Sequence, residues 1–116
     1  VVENDDSPNE YSVKDLVNGV HLRIGIPITF DYFHHKFNTG GLTEEEALIV
    51  ASATWPEGVT QCCHYSESRQ KEQLDESIRP QAHSDLIYEK IQTYGLEPDI
   101  VIEAKLKEQA IFKRVI

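Results

Sequence analysis

Short apolar runs alternate along the chain with longer segments in which apolar residues recur at helical spacing. Apolar runs that are rich in β-branched residues are typical of buried strands. Strands joined by amphipathic helices lie parallel in one sheet, because each connection crosses back over the sheet with a right hand. The predicted strands are residues 1–4, 26–30, 59–65 and 100–102.

Two capping boxes mark where the first two predicted helices begin. Ser12 with Asp15, and Thr43 with Glu46, place a hydroxyl residue three positions before an acidic one. Apolar residues follow each box at helical spacing, and Pro56 ends the second helix. The expected inner positions of these helices are Leu16, Val17 and Val20, then Ala47, Leu48, Ala51 and Trp55.

The second half of the chain carries two further predicted helices. Ser84 caps the third helix, and Gly95 ends it as a C-terminal cap. A fourth helix is predicted over 105–116. Residues 66–81 are charged and poor in apolar side chains, so we interpret them as a surface excursion. The expected inner positions of the third helix are Ile87, Ile91 and Tyr94.

The order of elements is β-α repeated four times over 116 residues, or about 29 residues per unit. This unit length is close to that of a (β/α)8 barrel of roughly 250 residues. We therefore predict an α/β fold in which residues 1–116 form the C-terminal half of a TIM barrel. A small doubly wound parallel sheet stays open as an alternative. The chain has no methionine, even at position 1, so we expect a processed product or a piece of a longer protein.

A residue that can bind a metal lies at or directly beside the end of every predicted strand. Ligands gather at the carboxyl ends of parallel strands, and side chains two apart in a strand share a face. Carboxylates and imidazoles suit Mn²⁺, Mg²⁺ or Zn²⁺. A single such residue is ordinarily a helix cap or a surface group, but their conjunction at four strand ends favours a metal site. The candidates are Glu3, Asp31, His64 and Glu103 at strand ends, with His34 and His83 in the loops that follow.

The remaining histidines and the cysteines have plainer interpretations. We expect His21 and His35 to be packed or surface residues and Cys63 to be a core residue that faces the helices. Cys62 and Cys63 are adjacent and are the only cysteines of the sequence, so we expect no disulfide framework.

The charge of the chain limits its partners. The net charge is −9, from 20 acidic and 11 basic residues, which argues against a general nucleic-acid binder with a basic face. It does not argue against a metal site, because clustered carboxylates make a chain acidic before the metal is counted. No apolar run reaches the roughly 18 residues that cross a membrane, so no membrane partner is expected.

Five short motifs stand at or beside the predicted strand ends. They are Glu3-Asn4-Asp5, the stretch from Pro27 to His35, His64-Tyr65-Ser66-Glu67, Ala82-His83-Ser84-Asp85 and Glu103-Ala104-Lys105. The motifs Asp31-x-x-His34-His35 and His64-Tyr65-Ser66 are the most specific of the set. Together, and in this order over nearly the whole chain, the motifs resemble the UV damage endonucleases.

The resemblance implies a TIM barrel related to the endonuclease IV and xylose isomerase-like group, with a cluster of divalent metals, Mn²⁺ first among them. It implies repair of damaged double-stranded DNA inside the cell, by metal-assisted nicking of the backbone 5′ to ultraviolet photoproducts. The implied compartment is the bacterial cytoplasm or the eukaryotic nucleus or mitochondrion. The implied metal ligands are Glu3, Asp31, His34, His64, His83 and Glu103. The implied catalytic residues are Glu3, His64, Glu103 and Lys105, the last through its charge.

Two departures from the family pattern stand out. Cys62 occupies the position where the family typically has a lysine among the metals. The family's first four βα units, with further ligands and the lesion-probing residues, fall outside the chain. We therefore expect the fragment alone to be inactive and to self-associate or need the missing half barrel. Two alternatives stay open: a xylose isomerase-like sugar isomerase or epimerase, and a non-catalytic, self-associating half barrel.

Overall fold

Four strands form one sheet in the computed structural model, which describes residues 1–106. The strands are β1 (Val2–Glu3), β2 (Ile28–Asp31), β3 (Cys62–Tyr65) and β4 (Asp99–Ile102). They follow one another across the sheet in chain order, and each neighbouring pair is parallel, as predicted. A doubly wound sheet reverses its strand order at a switch point. These four strands have no such reversal, so their order favours consecutive strands of a barrel.

Helical segments connect the strands. They are α1 (Val13–Leu16), which continues through a π-helical turn (Val17–His21) into α2 (Leu22–Ile24), then α3 (Tyr32–Phe37), α4 (Glu44–Ser52) and α5 (Arg69–Gln73). Both predicted capping boxes are confirmed: the Ser12 hydroxyl accepts from the Asp15 amide, and the Thr43 hydroxyl accepts from the Glu46 amide. Among residues 1–106, no helix has the length and apolar character needed to cross a membrane.

The two faces of the sheet differ, which places the ligand candidates on one of them. Side chains alternate along a strand, so in β3 Cys63 and Tyr65 are buried, whereas Cys62 and His64 are half-buried on the other face. The prediction that Cys63 is a core residue is confirmed, and burial raises the pKa of its thiol to about 12. The core cluster consists of Val13, Leu16, Ile28, Phe30, Tyr32, Ala47, Leu48, Ala51, Cys63, Tyr65 and Ile87.

The predicted third helix over 84–95 is wrong, because these residues form turns and irregular structure instead. Their amides bind carboxylates from elsewhere in the chain. The Glu72 carboxylate accepts hydrogen bonds from the amides of Asp85 and Leu86 at 2.9 and 3.0 Å. Periodicity alone does not reveal such non-local partners, although Ile87, an expected inner position, is fully buried.

Glu67 holds the next part of the same segment. Its carboxylate accepts hydrogen bonds from the amides of Tyr88 and Glu89 at 2.9 and 3.0 Å and from the Tyr65 hydroxyl at 2.6 Å. Glu67 is 8% exposed, so these bonds form largely away from water. Amides bound in this way are not available to pair with helix carbonyls.

Two helices form where none was predicted. Asp31 at the end of β2 is the N-cap of α3, so a helix begins directly after the strand. Ser68 caps α5, a single short helix inside the predicted surface excursion over 66–81. In the described part of the chain, α5 is therefore the helix between β3 and β4.

Several predicted boundaries also shift. Strand β2 begins two residues later than predicted, at Ile28, and β3 begins three residues later, at Cys62. Helix α4 ends at Ser52, so Trp55 lies beyond it, and the Trp55 indole donates to the Ile28 carbonyl at 2.8 Å. The first two residues of the predicted fourth helix form a turn, and 107–116 lie outside the described residues.

Gly40 is required by a close approach to α1. Its φ of +59° is left-handed, and a Cβ there would lie 2.5 Å from the Oγ of Ser12, the residue that caps α1. We expect Gly40→Ala to lower the free energy of unfolding by about 3 kcal/mol, the sum of a left-handed alanine and an overpacked contact. The matched control is Gly41→Ala, where φ is +87° in open space and about 1 kcal/mol is expected. Equal losses in urea denaturation would contradict the close approach.

The Glu72 carboxylate makes stability depend on pH. Burial opposes its ionisation, but hydrogen bonds from the Asp85 and Leu86 amides and the Tyr88 hydroxyl lower its pKa from 4.5 to about 2. A pKa that is lower in the folded state contributes stability above pH 4.5 that is lost as pH falls towards 2. We expect the stability difference between the wild type and Glu72→Gln to shrink between pH 5 and pH 2 in chemical denaturation. A stability difference that stays constant over this pH range would contradict the role of these hydrogen bonds.

Candidate metal centre

Three predicted ligands meet at the carboxyl ends of adjacent strands. Glu3, Asp31 and His64 each offer one ligand atom, and these atoms all lie within 4.8 Å of one another. The strand register produces this arrangement, because Asp31 pairs with His64 between β2 and β3 and Glu3 ends β1 beside β2. The strand-end reasoning therefore names the three residues that the sheet brings together.

Glu3 lies between two imidazoles. Its Oε2 is 2.5 Å from Nδ1 of His64, and its Oε1 is 3.3 Å from Nδ1 of His34. Burial, and then the nearby charge of Asp31, raise the pKa of the Glu3 carboxyl, while the two histidines oppose that rise. The two oxygens of Glu3 therefore face different ligand candidates.

Asp31 has a buried oxygen without a hydrogen-bond partner. Its Oδ1 accepts from the His34 amide at 2.9 Å and so caps α3. Its Oδ2 is buried and has no hydrogen-bond partner among residues 1–106, with Nδ1 of His34 at 3.6 Å. Burial raises the pKa of the Asp31 carboxyl. An unpaired buried carboxylate oxygen is costly, and a bound cation would satisfy it.

His34 has a defined ring orientation. Its Nδ1 is 2.8 Å from the backbone carbonyl of Asn4. A carbonyl only accepts, so Nδ1 carries a proton, and in the neutral ring the lone pair is on Nε2. Burial lowers the pKa of His34, but the Asp31 charge and the Asn4 carbonyl outweigh it, so the pKa is raised overall.

The other predicted site residues lie around this group. Oε1 of Glu103 is 3.7 Å from Nδ1 of His64, and the Glu103 amide donates to the Tyr65 carbonyl at 2.8 Å. The His83 ring packs against Phe33 at a centroid distance of 5.9 Å. The roles of Glu103 and His83 as ligands stay predictions.

The roles of Lys105 and Cys62 at the site also stay predictions. The Lys105 amide donates to the Ser84 carbonyl at 2.9 Å, and its side chain is exposed. The half-buried Cys62 shares the His64 face of β3, and its thiol lies 3.9 Å from the Cys63 carbonyl.

The donor set fits a hard or borderline divalent cation. Two carboxylates and one imidazole bring ligand atoms within 4.8 Å of one another, and one carboxylate oxygen is buried without a hydrogen-bond partner among the described residues. Such mixed oxygen and nitrogen donors suit Mn²⁺, Mg²⁺ or Zn²⁺.

Comparison with known proteins assigns the chain to a family. The model of the UV-endonuclease UvdE family matches residues 1–115. The chain belongs to the UvdE family. It is 34% identical over 119 residues to a UV-damage endonuclease of Schizosaccharomyces pombe, covering 97% of this chain and 19% of the relative. It is 31% identical over 124 residues to a UV DNA damage endonuclease of Bacillus pumilus, covering 98% of this chain and 36% of the relative.

A solved structure agrees with this assignment to the UvdE family. The crystal structure of SacUVDE superimposes with a TM-score of 0.74 at 30% identity, over 95% of this chain and 36% of that one. The chain thus spans between 19% and 36% of the length of these relatives. Membership of the UvdE family confirms the resemblance.

Two residues of this UvdE-family site escaped assignment from the sequence. Asn4 is fully buried and bonded to Asp31 and His34, and Glu67 organises the segment that follows His83. Both lie inside the motifs that carry the resemblance, Asn4 directly after Glu3 and Glu67 three residues after His64. Closeness in sequence to a predicted ligand was the signal that could have identified them. The residues that each contacts, however, lie 20 to 30 positions away in sequence.

Proposed function

We propose that this chain carries the metal-binding rim of a DNA repair endonuclease that hydrolyses the backbone of damaged double-stranded DNA 5′ to ultraviolet photoproducts. The observation that carries the proposal is the convergence of Glu3, Asp31 and His64, with a buried Asp31 oxygen that has no hydrogen-bond partner among residues 1–106, in a chain of the UvdE family. We propose Mn²⁺ as the first choice among divalent ions, with Mg²⁺ or Zn²⁺ as alternatives.

The chain's own residues would hold the ions and the phosphate in place. Divalent ions at the rim would supply an activated water and neutralise charge on the phosphate and the leaving 3′-oxygen. Glu3, whose two oxygens lie beside His34 and His64, would hold an ion from the end of β1, and His64 and Glu103 would hold it from the neighbouring strands. The exposed Lys105 would add positive charge towards the phosphate. The full ligand set proposed is Glu3, Asp31, His34, His64, His83 and Glu103.

We also propose that the sheet is the second half of a TIM barrel, closed by the rest of a longer protein. Strand β4 pairs with β3 on one side only among residues 1–106, and Val101 at its centre is half exposed. An open strand edge is a template for further strands. Isolated from them, the chain would self-associate and would not cut DNA.

A nicking assay tests the proposed activity. Supercoiled plasmid, ultraviolet-irradiated or not, is treated with the complete protein and Mn²⁺. We expect nicking only of the irradiated plasmid, with its loss in His64→Ala and Glu103→Ala and on chelation of the metal. Equal nicking of both plasmids would refute lesion dependence. Full activity in His64→Ala would refute the site.

A further inference from the structure

Asn4 lies directly after β1 and is fully buried at the ligand-bearing edge of the sheet. Its Oδ1 accepts from the Asp31 amide at 2.8 Å, and its Nδ2 donates to the Asp31 carbonyl at 3.1 Å. The last paired residues of β1 and β2 are Glu3 and Thr29. The Asn4 side chain therefore takes the place of a peptide group that would continue the pairing of β1 with β2. It binds the Asp31 backbone from the β1 side, and the pairing with His64 binds it from the β3 side.

The backbone of the same residue acts on a second ligand candidate. The Asn4 carbonyl accepts from Nδ1 of His34, which leaves Nε2 as the nitrogen that can bind a metal. A carbonyl that fixes the tautomer in this way is the usual partner of a metal-binding histidine. The His34 amide is bonded to Oδ1 of Asp31, so the three residues form one connected network.

We propose that Asn4 is a positioning residue of the metal centre, because it fixes the backbone of Asp31 and the tautomer of His34 before a metal binds. This inference rests on the proposed function, since it requires a metal at the rim. An alanine at position 4 would leave the Asp31 amide and carbonyl without these partners. It would also release the end of β1, which carries the backbone carbonyl that holds Nδ1 of His34. Loss of an outer partner of a metal ligand typically weakens binding 10- to 100-fold.

The test compares Asn4→Ala and Asn4→Asp with the wild type in the complete protein. Asn4→Asp has the same size and can still accept from the Asp31 amide, but its second oxygen would face the Asp31 carbonyl. The matched control is Asn38→Ala, since Asn38 is also buried and donates its side-chain amide to a backbone carbonyl, that of Glu10, at 3.1 Å. The measurements are the Mn²⁺ dissociation constant from electron paramagnetic resonance and the His34 tautomer in metal-free protein from ¹⁵N NMR.

We expect both Asn4 variants to weaken Mn²⁺ binding at least about tenfold and to mix the His34 tautomers, while Asn38→Ala changes neither. The His34 tautomer distinguishes a positioning role from a general loss of stability. If Asn4→Ala does not fold, Asn4→Asp is the variant that tests the proposal. Wild-type affinity in a folded Asn4 variant, or an equal loss in Asn38→Ala, would overturn this inference alone. If the wild type binds no Mn²⁺, the proposed metal centre and this inference both fall.

Discussion

Glu3→Gln is expected to reduce Mn²⁺-dependent nicking of irradiated DNA by at least about 100-fold. The change keeps the size of the side chain but removes the charge and one of the two oxygens that face His34 and His64. Loss of an outer partner of a metal ligand already costs 10- to 100-fold, so loss of Glu3, if it is itself a ligand as proposed, should cost at least as much. The measurement is the single-turnover nicking rate at saturating protein.

Glu57→Gln is the control for this prediction. Glu57 is an exposed carboxylate in the turn before β3, at the opposite end of the sheet from the candidate metal centre. Glu57→Gln removes the same charge as Glu3→Gln, so any effect of net charge on DNA binding appears in both variants. If Glu3→Gln nicks at a rate within threefold of Glu57→Gln, Glu3 is not a ligand.

Glu67→Gln is expected to lower the free energy of unfolding by about 2 to 3 kcal/mol. Oε1 of Glu67 accepts from the Tyr88 amide, and Oε2 accepts from the Glu89 amide and the Tyr65 hydroxyl. A glutamine side chain turns its NH₂ group towards one of these two amides in either orientation. A buried amide left unpaired costs about 1 to 3 kcal/mol, and the loss of charge-assisted bonds adds to that cost. Urea denaturation at neutral pH measures the difference.

Glu72→Gln provides the comparison, since Glu72 also binds two backbone amides of the same segment but is more exposed. Water can replace the bonds it loses, so we expect a cost of at most about 1 kcal/mol. The expected order, with Glu67→Gln the more destabilising, follows from burial. The reverse order would show that Glu67 does not organise the segment after His83.

The strand ends were predictable because local pattern determines them. Apolar runs fixed the four strands to within a few residues, and parallel pairing then placed Glu3, Asp31 and His64 at one edge. Composition and spacing are the same for a half barrel and for a doubly wound sheet, so only the strand order distinguishes these two predictions. The Cys63 prediction succeeded for the same local reason, alternation along a strand.

The missed features depend on contacts distant in sequence. The helix over 84–95 satisfied capping and periodicity, yet two carboxylates from 67–72 bind its amides instead. Asn4 was predicted only as the end of the first strand, because its bonds to Asp31, 27 residues away, leave no mark on the local pattern. Helix α3 was not predicted from the sequence, because its N-cap, Asp31, is also a strand end and a ligand candidate.

Titration of the complete protein with Mn²⁺, followed by electron paramagnetic resonance, tests the central claim most directly. The claim is that Glu3, Asp31 and His64 bind a divalent metal at the carboxyl edge of the sheet. We expect saturable binding in the wild type and loss of at least one bound Mn²⁺ per chain in the Asp31→Ala variant, which removes the buried oxygen that has no hydrogen-bond partner among residues 1–106. Equal stoichiometry and affinity in the two proteins would contradict it.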